Sequence, residues 1–311
     1  MRKTNWRASW ALVLAGGDGI RLQPLTREIT GTPIPKQYCP IVGNRSLLEA
    51  TLDRAELFAP PERTLVVINR DHIEIALGQL SRVPAGNILV QPCNRDTGPG
   101  ILFALQHLRR RDPDATLAVF PSDHYIGNNE AFVAHVARAR ELVDQWPDKS
   151  VLLGIRPDRP ETGLGYIAPA QPLHAQGDLA AFHVKAFHEK PTPEVAAGLL
   201  SQGGLWNSFV MVFHSARLRR VVRELLPVQL SEMERVTGAR TFEAMVKDYP
   251  KLASWNFSRD LLARIPQHLI VLCVDGVYWS DWGTPESVLR TLTQLKRPTP
   301  WWARERALAV A

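Results

Sequence analysis

The sequence predicts an α/β protein with a mostly parallel sheet and helices on both faces. Short β-rich apolar runs alternate with apolar residues at helical spacing through the first half of the chain. The first of these runs ends in a glycine cluster, at the carboxyl end of a strand, where open α/β sheets bind ligands. The 311 residues, 45% hydrophobic and 22% charged, fit one large α/β domain or two ordinary ones, with no sign of disorder or collagen-like repetition.

Trp10 to Ala15 reads as a short buried strand that stops at glycines. Ser46 to Phe58 carries Leu47, Leu48, Leu52 and Ala55 at helical spacing after a polar start at Asn44 to Ser46. Strand is expected at Thr64 to Ile68, helix at Asp71 to Leu80 and strand at Asn87 to Val90. Helix from Thr97 to Arg109, strand from Thr116 to Phe120, a long amphipathic helix from Glu130 to Val143 and strand from Val151 to Ile155 continue the alternation. The second half is less regular. Gly165 to Ala168, Phe182 to His188 and Phe209 to Phe213 read as strands, with a helix from Pro193 to Leu200 between the last two. Helices around Ala216 to Leu226, Ser231 to Thr237 and Thr241 to Tyr249 precede a strand at Leu269 to Val274 and a helix from Pro285 to Leu295. No internal repeat or low-complexity linker interrupts the chain. Trp301 and Trp302 in the tail would dock on the body or on a partner subunit, so a homo-oligomer is an open expectation.

Net charge is 37 − 31 = +6, which suits an anionic small-molecule substrate as well as nucleic acid. The densest basic clusters, Arg109 to Arg111 and Arg217, Arg219, Arg220 and Arg223, fall in helical segments and read as solvated helix faces. No zinc-finger, RRM or basic-zipper spacing accompanies them, so no nucleic-acid partner is expected. A bilayer span needs roughly 20 apolar residues; runs such as Ala11 to Ala15 are far shorter, and no membrane partner is expected. The basic start, Met1 to Arg7, lacks a signal peptide's long apolar stretch. Cys39, Cys93 and Cys273 form no CxxC pair, which points away from a zinc site or disulfide framework and toward a reducing cytoplasm.

The glycine cluster, Leu14-Ala15-Gly16-Gly17-Asp18-Gly19-Ile20-Arg21-Leu22, lets backbone N–H groups approach a bulky anion, and Arg21 adds a bidentate phosphate donor. A dinucleotide fingerprint starting at Gly17 would need glycine at Leu22, and a P-loop would need Gly-Lys after its spacer; both fail. Pro35-Lys36-Gln37 brings a second cation into the same region.

LAGGDGIRLQPLT followed by PKQY resembles the signature of the sugar-1-phosphate nucleotidyltransferases. Ile20 stands where that family has threonine or serine, and the stretch from Thr26 to Lys36 is several residues longer, which implies a larger flap. The resemblance runs over roughly residues 11–295. It implies a Rossmann-like nucleotidyltransferase fold, mixed in its sheet, with a sugar-binding insertion in a single domain over 1–311 and a tail at 296–311. A further C-terminal isomerase domain, as in bifunctional relatives, is not expected.

The resemblance also implies roles. Asp123 in FPSDH and Asp281 in WSDWG match two metal-binding contexts and would hold Mg²⁺; either aspartate alone would read as a turn or N-cap residue. His124 reads as a neighbour that shapes the loop. ETGLGYI, FHEKP and WNSF match the family's sugar-phosphate pocket and assign Glu161, Gly163, Gly165, Glu189, Lys190 and Asn207 to it. Leu164 replaces a tyrosine, and Phe209 a glycine. QPCNRDTGPGI resembles the EPxxRNTAPAI stretch of the mannose-1-phosphate guanylyltransferases, with Gln91, Asp96, Gly98 and Gly100 as departures. Nucleotide binding is therefore expected from Leu14, Ala15, Gly16, Gly17, Gly19, Arg21, Asn94, Arg95, Asp96 and Thr97, with Asp96 or Thr97 also able to cap the following helix. The implied substrates are an NTP, GTP foremost, and a sugar 1-phosphate, mannose 1-phosphate foremost, with dTTP or UTP and glucose 1-phosphate as the alternative pair on the same fold. The implied catalytic set is Arg21, Lys36, Asp123, Lys190 and Asp281. A non-catalytic sugar-nucleotide sensor is the alternative of another class, and it should have lost one of these five groups.

Overall fold

Ala11, Leu12 and Val13 are wholly buried because the first strand, β1 (Ser9–Leu14), has neighbours on both edges and helices over both faces. The computed structural model of the chain describes residues 9–173 and 179–297; the Trp301-Trp302 pair lies outside them. After β1 come α1 (Gln23–Thr30), α2 (Leu47–Glu56), β2 (Thr64–Asn69), α3 (Ile73–Leu77), β3 (Ile88–Gln91), α4 (Thr97–Arg109) and β4 (Thr116–Pro121). A two-residue strand β5 (Tyr125–Ile126), α5 (Asn129–Gln145) and β6 (Ser150–Ile155) follow. Then come β7 (Tyr166–Pro172), β8 (Ala181–His188), α6 (Pro193–Ser201), β9 (Leu205–His214), α7 (Ser215–Leu225), α8 (Pro227–Thr237), α9 (Phe242–Asp248) and α10 (Phe257–Asp260). The last elements are β10 (Leu269–Val274), β11 (Trp279–Ser280) and α11 (Pro285–Gln294).

The main sheet has nine strands in the order β3-β2-β1-β4-β9-β6-β10-β8-β7. Its first four strands are parallel, as the alternation of strand and helix requires. β6 and β10 are also parallel, whereas β9, β8 and β7 join antiparallel. The result is a mixed sheet between two helical layers. One face packs Leu102, Leu105 and Leu108 of α4 against Val221 of α7 and Met233 of α8. The other packs Leu48 and Leu52 of α2 against Phe132, Val136 and Leu142 of α5. Among the described residues no helix is long and apolar enough to cross a membrane. Arginines of both basic clusters are spent within the fold: Arg110 donates to the Thr237 carbonyl, Arg111 lies 4.9 Å from the Trp10 ring centroid, and Arg219 pairs with Glu234.

The structure departs from the sequence reading in particular places. The long stretch before Lys36 contains a helix, α1, ended by Gly31 at φ 81° and packed through Leu25, and through Leu22 just before it, against Trp282, Val288 and Leu292. The flap is thus anchored on α11. The helix expected over Asp71 to Leu80 is cut to α3, because a 3₁₀ turn precedes it and Gly78 follows it. β9 begins four residues earlier than its apolar run, so Trp206, Asn207 and Ser208 are strand residues. β5 and β11, too short to show alternation, pair antiparallel as a separate ribbon. That ribbon carries Asp123 and Asp281 toward each other.

Candidate active site

The glycine loop leaves β1 and is held in one shape by side chains. Its Ala15 carbonyl accepts from Gln37 Nε2 (3.1 Å) and the Tyr38 hydroxyl (2.7 Å), and its Gly17 carbonyl from Gln37 Nε2 (2.6 Å). Asn69 Nδ2 donates to the Gly16 carbonyl (2.6 Å) and to Asp18 Oδ1 (3.1 Å). Glycine is required at two points. A Cβ on Gly16 would fall 2.4 Å from Gln91 Nε2, and Gly19 has φ 58° with Lys36 N only 3.0 Å from where its Cβ would be.

Beyond the loop lie two adjoining cavities. The first, of about 630 Å³, is lined by Leu14, Gly16, Gly17, Asn94, Asp96, Thr97, Asp123, Gly163, Gly165, Glu189 and Asn207, all expected site residues. The second, of about 340 Å³, is lined by Gly19, Arg21 and Lys36 and shares Asp18, Asn94 and Asp123 with the first. The anionic junction between them is therefore flanked by the two expected phosphate cations.

Lys36 is the hub of that junction. Its buried ammonium donates to the Asp281 carbonyl (2.5 Å) and the Trp282 carbonyl (3.2 Å) and lies 3.3 Å from Asp123 Oδ2. Burial pushes the Asp123 carboxyl up, but the Lys36 ammonium and then His124 pull it down further, so it stays below the ordinary carboxylate value. His124 Nε2 lies 3.5 Å from Asp123 Oδ1. Burial lowers the His124 pKa in spite of that carboxylate, and the ring packs edge-on against Trp279 at 5.2 Å. The Asp281 carboxylate sits beside Gly283: a Cβ there would be 2.5 Å from Asp281 Oδ2 and 3.4 Å from both terminal nitrogens of Arg21. Arg21, Lys36 and Gly283 thus line the second cavity, while Asp281 lines a small separate cavity with Trp279 and Arg159.

The loop before α4 spans both cavities. Asp96 caps α4, its Oδ1 accepting from Thr97 N (2.6 Å), Thr97 Oγ1 (3.1 Å) and Asn256 Nδ2 (3.2 Å). It does so at φ 70°, ψ −179°, a region costly for any residue but glycine. Asn94 accepts from Asp96 N (2.9 Å) and donates to Asp18 Oδ2 (2.9 Å). Gly98 has no room for a side chain, because a Cβ would lie 2.2 Å from the Trp255 ring. Asp96 also faces the sugar side, where its charge adds to burial in raising the Glu189 pKa against the pull of Lys190 and Arg259.

At the sugar end, β9 bulges. Met211 pairs with Leu152 and Asn207 with Gly154, so β9 spends four residues where β6 spends two. Phe209 within this bulge has φ 59°, which costs about 1–2 kcal/mol for a residue with a Cβ. A glycine at this position would be unstrained. The phenyl ring lines the first cavity and also packs on the core, 6.5 Å from Phe257.

Five expected residues stand apart from the walls of these two cavities, Asp281 being one. Ala15 is buried beneath the loop. Arg95 turns away, its Nε donating to the Leu252 carbonyl (2.8 Å), so it braces the loop. The Glu161 carboxylate accepts from Gly163 N (3.2 Å) and supports that turn. Lys190 is exposed at φ 48° next to Glu189. Asp18, Gln37, Gln91 and Asn256, which line the first cavity, went unassigned. Asp18 and Gln37 lie within the quoted motifs, whereas Asn256 follows Trp255 with no local signal.

Residues 10–297 match the nucleotidyl transferase family. The chain belongs to that family. It is 30% identical over 292 residues to mannose-1-phosphate guanylyltransferase 2 of Escherichia coli O157:H7, covering 89% of this chain and 58% of that protein. It is 38% identical over 287 residues to xanthan biosynthesis protein XanB of Xanthomonas campestris pv. campestris (strain B100), with the same 89% and 58% coverage. The chain thus spans a little over half the length of these curated relatives. A crystal structure of a protein named mannose-1-phosphate geranyltransferase, from Thermus thermophilus, superposes with a TM-score of 0.79 at 30% identity, covering 94% of this chain and 80% of that one.

Proposed function

We propose that the chain transfers a guanylyl group from GTP to mannose 1-phosphate, giving GDP-mannose and pyrophosphate. The observation that carries this reading is the pair of cavities meeting at Asp123, one rich in hydrogen-bonding groups and the other flanked by Arg21 and Lys36. A nucleotide and a sugar fit the larger space, and a triphosphate's charge suits the smaller.

An oxygen of the sugar phosphate attacks the α-phosphorus of the nucleotide. The bond from that phosphorus to the β-phosphate oxygen breaks, and its electron pair leaves on pyrophosphate. The attacking oxygen is already ionised at neutral pH, so no protein base is needed. The residues act by position and charge. Arg21 and Lys36 hold the triphosphate and the departing pyrophosphate. Lys190, exposed beside Glu189, would hold the sugar phosphate. Asp123 and Asp281 are the carboxylates that would hold Mg²⁺, since two carboxylates completed by substrate oxygens and water suit that ion. Asp123 is ionised and reaches both cavities, which fits. When bound, Mg²⁺ would neutralise charge on the phosphate oxygens. The base would meet the Asn94 to Thr97 loop, where Asp96 Oδ2 remains to accept from guanine.

Pyrophosphate release across a matrix of four NTPs and several sugar 1-phosphates tests the reading. The greatest kcat/KM is expected for GTP with mannose 1-phosphate, with no turnover in excess EDTA. Equal kcat/KM for GTP and dTTP would remove the guanine preference, and no release with any pair would remove nucleotidyl transfer.

A further inference from the structure

One corner of the first cavity has the makeup of a site for a neutral polyhydroxyl ring. Glu189 and Asn207 bring a carboxylate and an amide, Ser258 a hydroxyl, and Phe209 an aromatic wall. Among the described residues lining that cavity there is no lysine or arginine, and no other phenyl, phenol or indole ring. Arg21 and Lys36 belong to the second cavity. The corner therefore offers acceptors and donors for hydroxyls and one flat apolar surface, and the nearby cations, Lys190 and Arg259, act on Glu189 from outside its lining.

Phe209 is an unexpected residue for its backbone. It stands in the left-handed region within a strand bulge, where glycine carries no steric penalty. Backbone strain of this kind persists where surrounding contacts enforce it, and it gathers at ligand sites. Here the ring of Phe257 backs the ring of Phe209 at an interplanar angle of 68°. Phe257 is in turn fixed by its N–H, which donates to Thr97 Oγ1 (2.9 Å) in the loop assigned to the nucleotide. The phenyl group is thus a braced wall, half-buried, with its open side on the cavity.

We propose that Phe209 is a specificity-determining residue for the sugar: its ring packs under an unsubstituted hexose of the sugar 1-phosphate and closes the pocket to a ring bearing a 2-acetamido group. The inference rests on the nucleotidyl-transfer reading above. The ring, Asn207 and Glu189 line the same cavity, so a bulky acetamido group would compete with the phenyl group for space that a hydroxyl would not need. An aromatic wall also favours a hexose by covering its apolar C–H face.

The test compares wild type, Phe209→Gly and Phe209→Leu by pyrophosphate release with GTP. The acceptors are mannose 1-phosphate, glucose 1-phosphate and N-acetylglucosamine 1-phosphate. Phe209→Gly is expected to raise kcat/KM for the acetamido sugar relative to glucose 1-phosphate by about tenfold or more, the scale set by pocket volume in other sites. It should also raise KM for mannose 1-phosphate, as the apolar wall is lost. Phe209→Leu should give a smaller change in the same ratio, and it carries the test if the glycine variant does not fold by circular dichroism. An unchanged ratio in all three proteins, with mannose 1-phosphate still turned over, overturns the proposal and leaves nucleotidyl transfer standing. No pyrophosphate from wild type with any acceptor overturns the underlying reading and the proposal with it.

Discussion

Lys36→Met tests the junction without relying on any substrate. Methionine keeps most of the side-chain volume and removes the charge, so the change isolates what the ammonium does. In the native protein that ammonium bonds the Asp281 and Trp282 carbonyls and faces Asp123 at 3.3 Å. Its side chain is 8% exposed, while that of Asp123 is 39% exposed. Breaking a fully buried pair costs about 3–5 kcal/mol, and an exposed pair about 0–1. With one partner buried and the other open to the cleft, the expected loss is about 1–3 kcal/mol, including the two abandoned carbonyls. In a chain of this size that is a fall in Tm of a few degrees.

The loss should depend on pH in a defined direction. In wild type the Asp123 pKa is depressed, so its stabilising contribution is full above the unfolded value of about 3.9 and disappears as pH falls through the folded value. Without Lys36, burial is the largest remaining influence, and the Asp123 pKa in the variant should rise. An ionised, unpaired Asp123 then destabilises the variant at neutral pH, and the penalty vanishes as pH falls through the raised value to about 3.9. The Tm gap between the two proteins should therefore narrow between pH 7 and pH 4. Thermal unfolding by circular dichroism at half-unit intervals measures it. A gap that stays constant over that range would refute the coupling of Lys36 to the Asp123 charge.

Gly98→Ala should cost about 1–3 kcal/mol in urea unfolding, because its Cβ would overlap the Trp255 ring at 2.2 Å; a loss under about 0.5 kcal/mol would mean the ring yields freely. Asp96→Ala should destabilise more than Asp96→Gly, since both lose the cap on Thr97 N but only glycine relaxes at φ 70°, ψ −179°; the reverse order would contradict the strain. Burial raises the Glu189 pKa, so the ionised group costs stability at neutral pH and that cost fades as pH falls through its folded value. Glu189→Gln should thus raise Tm at pH 7.5 and bring little change near pH 4, and an equal rise at both would rule out the carboxylate charge as the cause.

Much of the fold was legible because its strands are buried on both faces and its helices keep their period. Leu269–Val274 is both the expected and the observed strand, with every residue buried. α4 starts at Thr97, where the polar cap was expected. Elements whose cause is tertiary were not legible. The ribbon of β5 and β11 has two residues on each side, so no alternation can appear. α1 lies within a stretch read only as a longer loop, and its apolar side makes sense only against α11 and Trp282. The site divides in the same way. Gly16, Gly19 and Lys36 have local signatures in the glycine cluster and the cation after it, whereas Asp123 was legible only through the family resemblance, since alone it reads as a turn residue. Asn256 could not be found, since its value lies in a bond to Asp96 from far along the chain.

The backbone explains why local reasoning fails where it does. The described residues other than glycine with positive φ are Asp96, Lys190, Phe209, Trp282 and Lys296, and the first four lie in or beside the site. Propensity alone would place none of these side chains in the left-handed half of φ/ψ space. Contacts from elsewhere hold them there. Asp96 is fixed by Thr97 and Asn256, and Phe209 by Phe257. Trp282 is held by its indole N–H donating to Thr291 Oγ1 (2.9 Å) and by stacking on Tyr125 at 4.8 Å. Trp282 follows Asp281 and offers its carbonyl to Lys36, so the strain at that residue fixes the geometry of the junction. The helix α11 and the ribbon thus meet Lys36 through Trp282, whose backbone stands at φ 44° while its carbonyl accepts from the Lys36 ammonium. Such strain is a property of the assembled site, and only the folded chain displays it.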